Sequence, residues 1–281
     1  MSAPKILTIQ DVSCFGQCSL TVALPILSAL GIETAILPSA VLSTHTGGFT
    51  GYTFRDLTED IPAIGAHWAK EGIVFDAFYT GYIGSKKQLQ YIKEIVQTNR
   101  KEKSLFIVDP VMGDNGKLYA GFDRAFAAEM ALFIKGADVI LPNLTEAAHL
   151  LEEPYRGEGY DEAYIENLLR KLSDLSGGNV VLTGVSFSPD KLGIAAYDKA
   201  ADTAHYYFEE RISGSFHGTG DVYASAFAGG LMRGLSLVGA ADLAVDFTVQ
   251  AIRATLPERK EHWYGVKFES ALPYLIDRIK R

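Results

Sequence analysis

The amino-acid sequence predicts an α/β fold in which a mainly parallel sheet is covered by helices on both faces. Short apolar runs alternate with amphipathic stretches over the first 185 residues, a pattern typical of parallel strands joined by crossover helices. After residue 185 two strand-like runs follow each other directly and indicate an antiparallel hairpin. The 281 residues contain no linker rich in Pro, Ser or Gly and no repeat, so we expect a single domain over 1–281.

The apolar runs are short and rich in β-branched and aromatic residues, as strands are. The predicted parallel strands cover 5–10, 33–41, 75–82, 104–110, 137–143 and 178–185. The intervening stretches space their apolar residues three and four apart, as helices do. These predicted helices cover 20–31, 59–71, 85–100, 123–135 and 161–175.

Two further features lie outside this alternation. A polar, Gly-rich stretch at 42–55 predicts a flap, and the runs within 191–209 predict the edge hairpin. Helices are then expected over 219–233 and 236–256, with a last one beginning near 267. In open α/β sheets ligands bind beyond the carboxyl ends of the strands, so the loops that begin there are the candidate sites.

Composition and charge exclude several classes of protein. An apolar fraction of 48% with 21% charged residues is ordinary globular composition. The net charge is −8 and the basic residues are scattered, whereas a nucleic-acid binder needs a basic face. We find no signal peptide and no apolar run near the ~18 residues of a membrane span. We therefore expect a cytoplasmic protein that binds neither nucleic acid nor membrane, with Cys14 and Cys18 as reduced thiols.

The segment 212–224, ISGSFHGTGDVYA, runs from a Gly/Ser stretch straight into an apolar helix. Its glycines leave backbone N–H groups uncovered, and with the helix dipole behind them these form an anion hole. Asp221 in the first turn can take the proton of an attacking hydroxyl while that hole holds phosphoryl charge. Taken alone, the segment fits equally well a helix start at which Asp221 is only a charge partner.

Other phosphate and hydrolase motifs are missing from the sequence. We find no GxxxxGK[ST] and no GxGxxG after the first strand, which excludes a P-loop enzyme and the usual dinucleotide site. The motifs GxSxG and HExxH are missing as well, which excludes the commonest classes of hydrolase and metalloprotease.

Two carboxylate-bearing loops follow other predicted strands. In DPVMGDNGKLY, Asp109 comes directly after an apolar strand and Asp114 five residues later. Carboxylates at this position suit Mg²⁺, although a solvated Asp/Gly turn is an equally fair account of Asp114. In PNLTE, Asn143 and Glu146 have the spacing of a capping box, and Glu146 is also a candidate for the metal's surroundings.

Hydroxyls and rings occur in two further loops, STHTGG at 43–48 and YTGY at 79–82. Thr46, Tyr82 and Phe15 would suit a flat heteroaromatic substrate, stacked on one side and hydrogen-bonded at its edge. Each of these residues, considered alone, could equally have a structural role. For His45 a structural role is a better explanation than a role in binding a ligand.

These motifs together, from IQDVSCFGQCS at the N-terminus through DPVMGD to HGTGD, resemble the ribokinase superfamily and within it the pyridoxal/pyridoxamine (vitamin B6) kinases. The resemblance spans residues 9–221. It implies a three-layer α/β/α fold and ATP-dependent phosphorylation of the 5′-hydroxymethyl group of pyridoxal, pyridoxine or pyridoxamine. Mg²⁺, a monovalent cation such as K⁺ and a homodimer are implied as well.

The family's functional residues carry over by position. The resemblance makes Asp221 the catalytic base and places the anion hole at Gly218, Thr219 and Gly220. The acidic residues near metal and ATP phosphates match Asp109, Asp114 and Glu146. Further matches near the nucleotide are Tyr119 in a lid loop, Leu141, Asn143, Thr183, Gly184 and Val185. The matching substrate-pocket positions are Thr46, Gly47 and Tyr82, and Asp11 and Phe15 are further candidates for this pocket.

The sequence departs from the family pattern at two places. Asp11 stands where many members have a Ser that contacts the vitamer, so a carboxylate could favour a protonated pyridine or an amine. Thr183-Gly184 stand where some members have a Lys. A hydroxymethylpyrimidine kinase is the nearest alternative, followed by a sugar kinase and by a non-catalytic vitamin or nucleotide binder on the same fold.

Overall fold

The computed structural model describes residues 3–280, and a nine-stranded sheet forms its centre. The sheet strands are β1 (Lys5–Ser13), β2 (Glu33–Leu42), β3 (Phe54–Asp56), β4 (Phe75–Thr80), β5 (Arg100–Val108), β8 (Val139–Ile140), β9 (Asn179–Val185), β10 (Lys191–Asp198) and β11 (Thr203–Glu210). The short strands β6 (Gly113–Asp114) and β7 (Lys117–Leu118) pair with each other outside that sheet.

The helices connect these strands. They are α1 (Leu20–Ala29), α2 (Ile61–Lys70), α3 (Lys86–Asn99), α4 (Arg124–Phe133), α5 (Leu144–Leu150), α6 (Glu162–Ser176), α7 (Thr219–Met232), α8 (Leu237–Thr255) and α9 (Phe268–Ile279). None of the helices between residues 3 and 280 has both the length and the apolar composition that spanning a bilayer would require.

The spatial order of the strands is β11-β10-β9-β8-β5-β4-β1-β2-β3. The six strands from β9 to β2 pair in parallel, whereas β10, β11 and β3 pair antiparallel at the two edges. The parallel strands therefore end at the same edge of the sheet. The loops after β1, β2, β4, β5, β8 and β9 meet there, which is where such sheets bind ligands.

Two apolar layers hold the helices on the sheet. Alternate residues of β1 face opposite sides, so Leu7 joins the core beneath α2 to α6 while Ile6 joins the core beneath α1 and α7 to α9. Helix α7 is unusual because residues 222–230 are all buried. Small side chains permit this close packing, and a Cβ on Gly229 would lie 2.3 Å from a methyl carbon of Leu30.

The predicted mainly parallel sheet and the edge hairpin are confirmed. The loop predicted from residue 11 is wrong, because β1 continues past a bulge and Val12 pairs with Val41 of β2. The strand predicted over 137–143 is shorter, since Asn143 is already the N-cap of α5. Strands β3 and β6–β7 were not predicted, because they are only two or three residues long and polar.

We expect Phe247→Ala to lower the free energy of unfolding by about 3–5 kcal/mol, because this α8 ring is fully buried and its loss leaves a cavity. Urea unfolding monitored by circular dichroism would measure the change. Leu132→Ala is the control, since Leu132 is 51% exposed. Equal effects of the two substitutions would contradict the packing described above.

Candidate functional site

The N-terminus of α7 is seated against the loop that follows β1. Gly218 is the N-cap with φ +77°, and a Cβ there would lie 1.7 Å from the carbonyl oxygen of Gln17. Only glycine combines that φ with such a close approach. The Thr219 hydroxyl donates to the carbonyl of Phe216 at 3.2 Å, and Asp221 lies in the first helical turn. The N–H groups at the start of α7, which no side chain caps, and the Asp221 carboxylate therefore lie in the same helical turn, where the sequence predicts them.

Asp221 is the most informative titratable group of this site. Its residue is half-buried, and desolvation raises the pKa of its carboxyl from 3.8 to about 7. The Ser19 backbone N–H lowers this pKa, and the charge of Asp11 raises it further. A carboxylate with a pKa near neutrality is suited to accept a proton at physiological pH. Gly220 beside it is exposed, and a Cβ there would meet no atom within 4 Å.

Two further carboxyl groups, one in the loop after β5 and one in the first turn of α5, are buried. Asp109 is 8% exposed; burial raises the pKa of its carboxyl, and the charges of Glu146 and Asp221 add to that rise. Glu146 is 3% exposed, and burial raises its pKa to about 8 although backbone N–H groups oppose the shift. Its two oxygens accept from the N–H groups of Met112 at 3.1 Å and Asn143 at 2.9 Å. The predicted capping box is confirmed, and it holds Glu146 beside Asp109.

The hairpin β6–β7 carries Asp114 and is followed directly by Tyr119, the residue matched to a lid loop. Asp114 is exposed, and the Tyr119 backbone N–H donates to the carbonyl of Met112 at 2.9 Å, which ties the hairpin to the end of β5. Burial raises the pKa of the Tyr119 hydroxyl, as do the nearby charges of four carboxylates. Those carboxylates belong to Glu146, Asp114, Asp109 and Asp221. The Tyr119 hydroxyl therefore lies near every acidic group of this part of the site.

The positions matched to the nucleotide lie together beside β8 and β9. Asn143 forms a parallel bridge with Thr183, whose backbone N–H donates at 2.9 Å to the carbonyl preceding Asn143. Leu141 and Val185 are buried, while Gly184 is exposed with φ +74°. The structure brings these five residues to one strand edge, and their contact with a nucleotide stays a prediction.

On the substrate side, Asp11 and Tyr82 are neighbours. Burial raises the pKa of Tyr82 to about 12, and the charge of Asp11 is the next largest cause. Cys18 joins them: burial raises the pKa of its thiol, as do the charges of Asp221 and Asp11. The charges of the predicted base Asp221 and of Asp11 thus both reach the Cys18 thiol.

The flap and the loop after β1 contact each other and the segment that contains Tyr264. Phe15 is half exposed, and its ring centroid lies 4.6 Å from that of Tyr264. Thr46 is exposed. A Cβ on Gly47 would come within 2.6 Å of Nδ1 of His217, so the flap backbone lies directly on that imidazole. The flap that carries Thr46 and Gly47 is therefore joined to the loop of Phe15, since the His45 backbone N–H donates to the Phe15 carbonyl at 3.3 Å.

Several residues that hold the side chains of this site in place were not identified from the sequence. Ser13 and Ser19 both donate to the carboxylate of Asp11. His45 is buried, its Nδ1 accepts from the Gly47 N–H at 3.1 Å, and its Nε2 lies 2.7 Å from the Tyr264 carbonyl oxygen. These contacts agree with the prediction that His45 has a structural role. The contact with Tyr264 joins residues 219 apart in sequence, and no local pattern could have shown it.

The residues present fit a divalent cation. No hydrogen bond within residues 3–280 reaches the Asp109 carboxylate, which is buried beside Glu146. A buried carboxylate without a hydrogen-bond partner suits Mg²⁺, which takes one or two protein oxygens and completes its shell with phosphate and water. No three His, Cys, Asp or Glu side chains of the described chain are arranged to hold a metal by themselves. The three-residue set Asp109, Asp114 and Glu146 stays a prediction.

We expect Gly218→Ala to lower the free energy of unfolding by more than about 1–2 kcal/mol, because both the left-handed φ and the Gln17 carbonyl oppose a Cβ. Gly220→Ala is the matched control two residues away, where a Cβ meets nothing. Thermal and urea unfolding would measure both. A Gly218→Ala protein as stable as Gly220→Ala would show that this close approach does not exist.

We expect Asp221→Asn to stabilise the ligand-free protein at pH 8. In the wild-type protein the unfolded carboxyl ionises above its ordinary pKa near 3.8, whereas the folded one stays protonated to about pH 7. The penalty therefore grows from about pH 4 to pH 7 and is complete above it. Urea unfolding of both proteins from pH 4 to pH 8 tests this. A stability difference that does not change with pH would contradict it.

Comparison with known proteins agrees with this geometry. The model of the phosphomethylpyrimidine kinase family matches residues 27–265. The pyridoxal kinase of Lactobacillus plantarum superimposes with a TM-score of 0.91 at 35% identity, covering 98% of each chain. A Bacteroides thetaiotaomicron protein described as a phosphomethylpyrimidine kinase, crystallised with pyridoxal, gives 0.92 at 40% identity over 98% of this chain and 96% of that one.

A Caenorhabditis elegans protein assigned as a pyridoxal kinase is 32% identical over 153 residues. This match takes in 52% of the present chain and 45% of the length of that relative. The resemblance to the pyridoxal kinases is confirmed, and the chain belongs to the phosphomethylpyrimidine kinase family.

Proposed function

We propose that this protein is an ATP-dependent kinase that phosphorylates the 5′-hydroxymethyl group of a B6 vitamer, giving the 5′-phosphate and ADP. One observation carries the proposal: the Asp221 carboxyl, with a pKa of about 7, lies in the first turn of α7 beside uncovered backbone N–H groups. A proton acceptor beside an anion hole is what phosphoryl transfer to an alcohol needs. The likeness to the L. plantarum pyridoxal kinase supports the choice of substrate.

In the proposed reaction Asp221 takes the proton of the vitamer's hydroxyl group. The hydroxyl oxygen forms a bond to the γ-phosphorus of ATP as the bond between that phosphorus and the β,γ-bridging oxygen breaks, and ADP leaves. The N–H groups of Gly218, Thr219 and Gly220 lie at the N-terminus of α7. Because these donors are fixed before the reaction, they stabilise the charge on the transferring group without reorganisation.

The nucleotide lies, in this proposal, along the ends of β5, β8 and β9. Asp109 and Glu146 would hold Mg²⁺, which neutralises phosphate charge when bound, and Asp114 and Tyr119 would close over the phosphates from the β6–β7 hairpin. Asn143 would lie near the phosphates. The remaining nucleotide contacts would come from Leu141, Thr183, Gly184 and Val185. The monovalent cation and the homodimer implied by the resemblance also stay predictions, as does the cytoplasmic location expected from the sequence.

A second candidate function is the phosphorylation of hydroxymethylpyrimidine, because the matching family model is described as phosphomethylpyrimidine kinase. Both substrates are heteroaromatic alcohols and would use the same base. A coupled assay of ADP release with pyridoxal, pyridoxine, pyridoxamine, hydroxymethylpyrimidine and ribose separates the two. We expect turnover of at least one B6 vitamer above that of the pyrimidine. Turnover of none of the five would indicate a non-catalytic binder.

We expect Asp221→Asn to lower kcat by about 10²–10⁴-fold, the usual contribution of a general base. The dissociation constant of ATP should change by no more than a few-fold, because the base acts in the transition state. The wild-type kcat/KM should rise with pH through about 7 as Asp221 loses its proton, and this rise should vanish in the variant.

Stopped assays and isothermal titration calorimetry would measure these quantities. Asp277→Asn serves as the control, since its side chain is 72% exposed on α9, and it should retain the wild-type kcat. An Asp221→Asn protein with near-wild-type turnover would rule out the assigned base.

A further inference from the structure

The β6–β7 hairpin is too short to hold its own position. Each of its strands has two residues, and both residues of the turn between them, Asn115 and Gly116, have positive φ, +51° and +76°. An isolated two-stranded hairpin is at best marginally stable in water. This hairpin nevertheless carries Asp114 and leads directly into Tyr119. Contacts with the rest of the chain must therefore fix where these two side chains lie.

The base of the hairpin is held by two residues that the proposed function already assigns to the nucleotide and the metal. The side-chain amide of Asn143 donates to the carbonyl of Gly113 at 2.9 Å. The carboxylate of Glu146 accepts from the N–H of Met112 at 3.1 Å. A substitution of either residue would change the metal and phosphate region together with the hairpin, so neither can show what the position of the hairpin contributes.

The turn of the hairpin lies between two side chains to which neither the sequence nor the proposed function gives a role. On one side the hydroxyl of Thr145, a residue that is 1% exposed, accepts from the N–H of Gly116 at 2.9 Å. On the other side a Cβ on Gly116 would come within 2.6 Å of Cδ1 of Tyr155. The ring of Tyr155 therefore lies directly on the glycine, and the turn is enclosed between a hydrogen bond and an aromatic face.

The hydroxyl of Thr145 is itself fixed by α5. The backbone N–H of Thr145 donates to Oδ1 of Asn143 at 2.8 Å as part of the cap of this helix. The Gly116 N–H is half-buried, and a backbone N–H that loses its acceptor away from water costs free energy. The bond between the two residues therefore passes the fixed position of α5 on to the tip of the hairpin.

We propose that Thr145 is a positioning residue whose hydroxyl holds the turn of the β6–β7 hairpin and thereby keeps Asp114 and Tyr119 in place for the phosphates before ATP binds. The inference rests on the proposed function and deepens it, because it names the residue that orders the hairpin. A hairpin that is already in place needs no ordering when the nucleotide binds. Without the hydroxyl, the apparent affinity for ATP falls with the fraction of molecules whose hairpin is in place.

The test compares wild-type protein with Thr145→Val, which replaces the hydroxyl by a methyl group, and with Thr145→Ser, which keeps the hydroxyl. Hydrogen exchange of the ligand-free proteins, followed by mass spectrometry of peptides that cover 112–119, measures how firmly the hairpin is held. Steady-state kinetics give kcat and the KM values for ATP and for the vitamer, and isothermal titration calorimetry gives the dissociation constant of ATP.

Ser104→Ala is the matched control. Ser104 is 4% exposed, and its hydroxyl likewise accepts a backbone N–H, from Lys101 at 2.7 Å. The same hydroxyl donates to the carbonyl of Phe75, the first residue of β4. The control therefore removes a buried hydroxyl of the same kind near the amino end of a strand, away from the strand ends that form the site.

We expect Thr145→Val to speed exchange in 112–119 and to raise the KM and the dissociation constant of ATP about 2–10-fold, the range that corresponds to one neutral hydrogen bond. The kcat should stay at the wild-type value because bound ATP restores the position of the hairpin. The KM for the vitamer should also stay unchanged, because the hairpin serves the nucleotide. Thr145→Ser should restore every wild-type value, and Ser104→Ala should change neither exchange in 112–119 nor either KM.

Several results would overturn the proposal. These are wild-type exchange or a wild-type KM for ATP in Thr145→Val, an equal rise of the KM values for ATP and the vitamer, and a Thr145→Ser protein that behaves like Thr145→Val. If Thr145→Val misfolds, the Gly116 amide of the wild-type protein decides. Its exchange should be far slower than in an unstructured peptide, and exchange at the unstructured rate overturns the proposal.

These outcomes separate the two proposals. If the wild-type protein phosphorylates none of the vitamers, the proposed function fails, while hydrogen exchange and the dissociation constant of ATP still decide the role of Thr145. If the wild-type protein phosphorylates vitamers and Thr145→Val leaves exchange and the ATP constants unchanged, the proposed function stands and the inference about Thr145 fails.

Discussion

Uncompensated negative charge at one edge of the sheet is the constraint on which this site depends. Asp109, Glu146 and Asp11 are buried, Asp221 is half-buried, and burial raises the pKa of all four carboxyl groups. Not one of them is ion-paired with a Lys or Arg of residues 3–280. Folding brings these groups together against the repulsion that they exert when ionised, so the site favours a bound positive charge.

The fold can hold such a site because its stability comes from elsewhere. The apolar layers on the two faces of the sheet are extensive and continuous, and their burial outweighs the cost of a few desolvated carboxyl groups. The site itself lies in the loops at the strand ends, where a change of residue affects chemistry more than packing. The apolar layers stabilise the fold and the loops carry the chemistry. This is why we expect the protein to become more stable when the Asp221 carboxyl is removed.

The acidic residues of the site fall into two groups that have different neighbours. Asp109 and Glu146 lie beside the nucleotide positions, where a metal ion and phosphates would supply compensation. Asp11 accepts hydrogen bonds from Ser13 and Ser19, and its charge raises the pKa of Tyr82. Asp221 is affected by Asp11 and in turn affects Asp109. Asp221, the proposed base, is therefore linked electrostatically to both groups, as we would expect of a residue that acts between two substrates.

The sequence alone determined the α/β class, the mainly parallel sheet, the edge hairpin and the helix that carries Asp221, because apolar periodicity and Gly-rich turns are local signals. It also pointed to the three carboxylate loops, since parallel strands end at one edge. Only the tertiary structure decided that Asp11 belongs to β1, that Ser13 and Ser19 bind its carboxylate, and that Gly218 must admit the Gln17 carbonyl. These features, like the contact of His45 with Tyr264, depend on distances between segments far apart in the chain, and no pattern along the sequence encodes such distances directly.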